Sequence, residues 1–79
     1  MRGMIRSDSP LAPEIWLRDV LSSKAVAQGH VIRRKVRDIE RFVGMARFLE
    51  EVRQRGFRAV ENRGYVIVFC NQAPIRRLI

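Results

Sequence analysis

The chain is poor in the side chains that most enzymes and metal sites are built from. It has one cysteine, Cys70, and one histidine, His30. A single cysteine excludes an internal disulfide. With one histidine besides, the three or four closely spaced ligands of a zinc site are missing. Neither a Gly-rich phosphate loop nor a G-x-S-x-G elbow occurs. A Cys/His nucleophile pair requires Cys70 and His30 to meet in space with the thiol exposed. Cys70 closes an apolar run and reads as a small buried hydrophobe, and His30 follows Gly29 in what reads as an interhelical turn. A non-enzymatic protein is therefore expected, with no cofactor, no metal and no small-molecule substrate. Apolar runs are also short. None approaches the ~18 residues that a membrane-spanning helix needs, and the opening MRGMIRSDSPLAPE lacks the apolar stretch of a secretory signal. A cytoplasmic location is the expectation that follows. No internal repeat or low-complexity tract is present.

What the sequence does have is positive charge. Sixteen basic residues face eight acidic ones, giving a net +8 in 79 residues. All but Lys24 and Lys35 of the basic residues are arginine. Arginine offers a planar fork of donors that grips phosphate in a bidentate way and stacks on bases. A codon preference for arginine accounts for the Arg/Lys ratio as well as function does, but not for the net charge. Hydrophobic residues make up 47% of the chain, enough for a core and against whole-chain disorder. A chain of this length forms one domain and buries only about 60% of its unfolded surface.

Residues 1–9 read as a polar, flexible arm, and 10–79 as a single α+β domain. The segment PLAPEIWLRDVLSSKAVAQG predicts a first helix over 13–27, with Pro13 in its first turn and Trp16, Leu17, Val20 and Leu21 on one face. Gly29 is its natural stop. In HVIRRKVRDIERFVG the apolar residues Ile32, Val36, Ile39 and Val43 recur at helical spacing, which predicts a second helix ending at Gly44. A third, MARFLEEVRQRG, turns Phe48, Leu49 and Val52 to one side, and Gly56 ends it. The period then changes. FRAVENRGYVIVFC is β-branched and aromatic around Asn62-Arg63-Gly64, the signature of a hairpin. Tyr65–Cys70 is apolar at every position, which predicts a central strand covered on both sides. After the turn Asn71–Pro74, Ile75–Ile79 is the candidate for a third, short strand. The expected fold is thus three helices followed by a β-hairpin with that third strand, winged-helix-like.

The candidate site lies in the second helix. Arg33, Arg37 and Arg41 fall at i, i+4, i+8, and Arg34 and Lys35 widen the patch. Five cations there face only Asp38 and Glu40. Such a face, opposite the apolar stripe, suits phosphate contacts; an ordinary solvated helix face has the same look. Helix 3 is largely self-neutralised by the pairs Arg47–Glu51, Glu51–Arg55 and Glu50–Arg53. If it reads bases, Arg47, Arg53 and Gln54 are the candidates. Arg58 and Arg63 on the hairpin form a second basic set. The aromatic residues are spaced as core positions, with Tyr65 at the turn as a candidate for base stacking. The partner expected is nucleic acid, DNA or RNA, and a homodimer built on Tyr65–Cys70 or on Trp16 is the alternative.

Three resemblances add to this reading. Taking Val36–Arg55 as a window, Gly44 stands ninth, where the turn of a helix-turn-helix has Gly, and Ile39, Val43 and Met45 fill apolar places four, eight and ten. Glu40, Glu50 and Arg53 stand where that motif has small or apolar residues. The segment RFLEEVRQRGFRAVENRGYVIVF resembles HicA-type RNA-cleaving toxins over about 23 residues, which implies a double-stranded-RNA-binding-like scaffold. That family's catalytic His lies on its second strand, and Tyr65–Cys70 contains none. Over most of its length the chain resembles a group of small basic bacterial proteins sharing VxRRxVRxxERxVGxxRF, RGF and YVI with a following Cys-Asn. Some of them bear the name phosphoribosylanthranilate isomerase. That enzyme is a barrel of more than about 200 residues, which this chain cannot build.

Overall fold

The computed structural model describes residues 12–79; the arm expected over 1–9 lies outside them. Helix α1 spans Pro13–Leu21, with Pro at its start and Glu14 in the first turn, where the missing N–H and the negative charge both suit the helix end. It stops well short of residue 27. The Ser22 hydroxyl donates to the Arg18 carbonyl, and the Ser23 hydroxyl accepts from the Val26 amide at 3.4 Å. Two adjacent serines thus end one helix and cap the next, the short α2 over Lys24–Ala27. Serine competes with the backbone for hydrogen bonds and so favours a cap over a helix interior.

The larger correction falls on the expected second helix. Residues Val31–Lys35 form a strand, β1, and only Val36–Phe42 are helical, as α3. Ile32 and Val36 are four apart, a spacing that fits a helix and also an alternating strand. The tie is broken by pairing. β1 lies antiparallel to β3 (Tyr65–Phe69), with Ile32 opposite Val68 and Arg34 opposite Val66. In this register Ile32 is buried while Val31, Arg33 and Lys35 are exposed, the period-2 pattern of a sheet with one covered face. The Val36 amide then donates to the Gly64 carbonyl at 2.8 Å, tying the first turn of α3 to the hairpin.

Helix α4 spans Met45–Gln54. Gly44, at φ 90°, makes the turn before it, in the left-handed region that glycine enters without strain. The Glu40 carboxylate accepts from the Met45 amide at 3.4 Å. Strand β2 covers Arg58–Asn62 and pairs antiparallel with β3. Their connection is the two-residue turn Arg63-Gly64, with both residues at positive φ, 51° and 79°. That is the type I′ geometry whose twist matches a hairpin. The sheet order is β1-β3-β2. The hairpin therefore forms as the sequence predicts, and β3 is central. The third strand is residues 31–35, inserted among the helices, rather than 75–79. With both sides of β3 occupied, Ile75–Ile79 has no place beside it and is exposed.

One hydrophobic cluster joins the elements. Leu17, Val20 and Leu21 of α1, Val26 of α2, Ile39 of α3, and Phe48 and Val52 of α4 meet Ile32, Val66 and Val68 of the sheet. Trp16 stacks on Phe42 with centroids 5.6 Å apart and tilts against Phe48 at 6.3 Å, so it packs on the core. No helix among the described residues is long and apolar enough to cross a membrane.

Candidate nucleic-acid interface

The helices lie on one side of the sheet. On that side stand Ile32 and Arg34 of β1, Val66 and Val68 of β3, and Ala59 and Glu61 of β2, as the register requires. The outward side carries the alternate residues. They form three rows across the strands: Lys35, Tyr65, Asn62; then Arg33, Ile67, Val60; then Val31, Phe69, Arg58. The apolar members of these rows, Val31, Val60, Tyr65, Ile67 and Phe69, are neither in the hydrophobic cluster nor among the partly buried hydrophobics packed against it. Val31 and Val60 are 51% and 50% exposed, and Tyr65, Ile67 and Phe69 are half-buried. Among the described residues β3 is thus central but packed by helices on one side only, where a doubly covered strand was expected. Its apolar residues on both faces carry no alternation from which the open side could be read. Phe69, expected in the core with the other aromatics, stands on the open side.

This arrangement answers where the basic residues go. Arg33 and Arg63, thirty positions apart in sequence, come together with Asn62, Tyr65 and Ile67 around an open concavity of about 600 Å³. The Arg33 guanidinium lies over the Tyr65 ring, 4.5 Å from its centroid, a cation–π contact that holds the charge above an aromatic face. Next to it, Lys35, Val36, Arg37, Gly64 and Tyr65 line a second, more apolar hollow. Four cations, Arg33, Lys35, Arg37 and Arg63, therefore surround Tyr65 at the turn end of the sheet. Arg33, Arg37 and Arg41 do not form one helical stripe, because Arg33 is on a strand. Arg41, in the last turn of α3, lies 5.5 Å from the Phe42 ring centroid.

The other candidates are placed elsewhere. Arg34 points to the helix side, is half-buried, and donates to the Arg33 carbonyl at 2.7 Å. Arg58 occupies the far corner of the open face and donates to the Ala73 carbonyl. On α4 and at its C-cap, Arg47 and Arg55 both meet Glu51 at 3.2 Å, and Arg53 meets Glu50 at 2.8 Å. Gln54 donates to the same Glu50 at 3.1 Å. The hydrogen bonds from Arg53 and then Gln54 hold the Glu50 carboxyl below the usual glutamate range. The ion pairs form as their i, i+3 and i, i+4 spacings predict, with three arginines sharing two glutamates.

Charge is segregated as a result. The described side-chain carboxylates are Glu14 and Asp19 on α1, Asp38 and Glu40 on α3, Glu50 and Glu51 on α4, and Glu61 on β2 at a position facing the helix side. None stands on the outward face. Asn62, Val60 and Ile67 were missed from the sequence as members of this surface, since only strand pairing shows that they share a side with Arg33.

The one thiol is not part of this surface. Cys70 is 4% exposed, and burial pushes its thiol up from the usual range, the opposite of what a nucleophile needs. Its amide donates to the His30 carbonyl at 3.2 Å, so Cys70 and His30 do meet, but through backbone. The thiol itself lies against the Val68 carbonyl. Among the described residues no group of three or more His, Cys, Asp or Glu is placed to hold a metal ion. Compared with models of known protein families, with curated proteins and with solved structures, the chain matches none.

Proposed function

We propose that this protein binds nucleic acid, without catalysing a reaction, through the outward face of its sheet and the adjoining hairpin turn. The observation that carries this reading is the segregation of charge. Arg33, Lys35, Arg58 and Arg63 stand on a face or turn that has no side-chain carboxylate among the described residues, in a chain of net charge +8. Cations gathered on one surface attract a phosphate backbone and release its counterions. Arg63 strengthens the case. It holds a left-handed conformation, φ 51°, that costs an ordinary residue about 1–2 kcal/mol and that Asn or Gly adopts more readily. A strained residue at an exposed turn tip points to use.

The α3–Gly44–α4 pair followed by the β2–β3 hairpin is what a winged helix-turn-helix would need, with α4 as its reading helix. In such a domain the hairpin, rather than α4, is the contact we favour, because α4 holds Arg47, Arg53 and Arg55 in its own ion pairs. The partial likeness to HicA-type toxins, without their strand histidine, fits the same reading of RNA binding without cleavage. A titration of labelled DNA and RNA at several salt concentrations tests it. The expected result is affinity that falls steeply with salt. Reversing Arg33 and Arg63 together to Glu should abolish binding, while Arg53→Glu should leave most of it. A flat salt response, or equal damage from the α4 reversal, contradicts the proposal. The half-exposed Val31 and Val60 favour a second reading, a homodimer or adaptor joined through this face. A tight dimer in sedimentation with no nucleic-acid affinity would support that reading instead.

A further inference from the structure

We infer that the nucleic acid taken by this face is single-stranded, with unpaired bases stacked on Tyr65 and the Arg33 plane above it. The inference rests on the nucleic-acid reading and narrows it by the chemistry of the surface. A duplex presents phosphates and groove edges, and its base faces are hidden in the stack. The outward face is not made of cations alone. Its middle strand is Tyr65, Ile67 and Phe69, flanked by Val31 and Val60, with cations around it. A purely phosphate-binding surface gains nothing from that apolar middle. A single strand has both a charged backbone for the rim and unpaired base faces for the centre.

The geometry agrees. Outward residues on one strand repeat at about 6.7 Å, so Tyr65 and Phe69 stand about 13 Å apart. Stacked nucleotides in a duplex strand advance only about 3.4 Å each. Bases reaching these two rings are therefore not neighbours in a stack, but belong to a splayed, extended strand. Arg33 is exposed, and its guanidinium is already parked over the Tyr65 ring. It offers a planar cation on which a base can stack while its donors remain available to phosphate. Lys35 and Arg63 flank the same ring. Asn62 beside it brings amide donors and an acceptor for a base edge.

The test uses the full chain and labelled oligonucleotides of about ten nucleotides, as single-stranded RNA, single-stranded DNA and the matching duplex. Binding to either single strand should exceed binding to the duplex by about tenfold or more. Tyr65→Leu should weaken single-strand binding about tenfold with the salt slope unchanged, and Tyr65→Phe should keep it. Arg33→Leu should lower both the affinity and the slope, the latter by about 0.7. Both substitutions lie outside the core, and circular dichroism matching the parent confirms folding. A duplex bound as tightly as the single strand, or a Tyr65→Leu variant that binds like the parent, overturns the single-strand inference and leaves the nucleic-acid reading standing. No binding to any of the three probes overturns both. A stable dimer that Tyr65→Leu dissociates also overturns the inference, because the face is then occupied by a second copy.

Discussion

Arg63 shows how one residue can be read against its backbone. Its place in a type I′ turn asks for Asn or Gly, and its charge is what the proposed interface uses. Arg63→Asn should therefore separate the two demands. Relief of the left-handed strain is worth about 1 kcal/mol, which in a domain of this size raises Tm by roughly 4–8 °C. The same change removes a cation from the rim and should weaken nucleic-acid binding with a shallower salt slope. Thermal unfolding and a salt titration on one variant check both halves. A drop in Tm, or unchanged binding, contradicts the account. The turn itself was legible from Asn62-Arg63-Gly64 between two β-rich runs. The neighbours of Arg63 were not, because Arg33 reaches it only across the sheet.

At the scale of the element, the informative segment is 31–42. Its apolar residues at 32, 36, 39 and 43 satisfy a helical period throughout, and its charged residues fit the solvent side of that helix. Local pattern therefore favours one long helix, and nothing within the segment contradicts it. β3 decides otherwise. A strand apolar on every side chain carries unpaired N–H and C=O groups along both edges, and a single hairpin partner satisfies only one of them. β1 supplies the second, with five paired positions, and converts Ile32 from a helix-face residue to a sheet-core residue. The expected measurement is a backbone chemical-shift profile, extended over Val31–Lys35 and helical over Val36–Phe42. Continuous helical shifts across both segments would overturn the topology and, with it, the placement of Arg33 beside Tyr65. Helix α4 is the contrasting case. Its pairs Arg47–Glu51, Glu51–Arg55 and Glu50–Arg53 lie within one element, and spacing alone found all three.

For the molecule as a whole, stability rests on a small core. Small domains hold only ~5–15 kcal/mol of net stability. Phe48 is fully buried at the centre of the cluster, in contact range of Trp16. Phe48→Ala should cost about 3–5 kcal/mol through lost burial and the cavity left behind, a large share of the total. Denaturant unfolding checks this, and a loss below about 1 kcal/mol would show that the cluster is not organised around Phe48. The outward face makes the opposite prediction. Substitutions at Arg33, Lys35 and Tyr65 should change binding far more than stability, since Arg33 and Lys35 are exposed and Tyr65 is outside the cluster.

The sequence by itself determined the start of α1, the helix α4, the hairpin and its turn, the ion pairs of α4, the burial of Cys70 and the excess of positive charge. Each of these is set by residues close in the chain, where propensity, capping and i, i+4 spacing act directly. Only the tertiary structure decided that 31–35 is a strand, that the described helices pack on one side of β3, and that Arg33, Lys35, Arg37 and Arg63 gather around Tyr65. Those facts depend on backbone hydrogen bonds between segments some thirty residues apart. Which face of an all-apolar strand meets solvent is fixed by where the helices pack, and no local period records it.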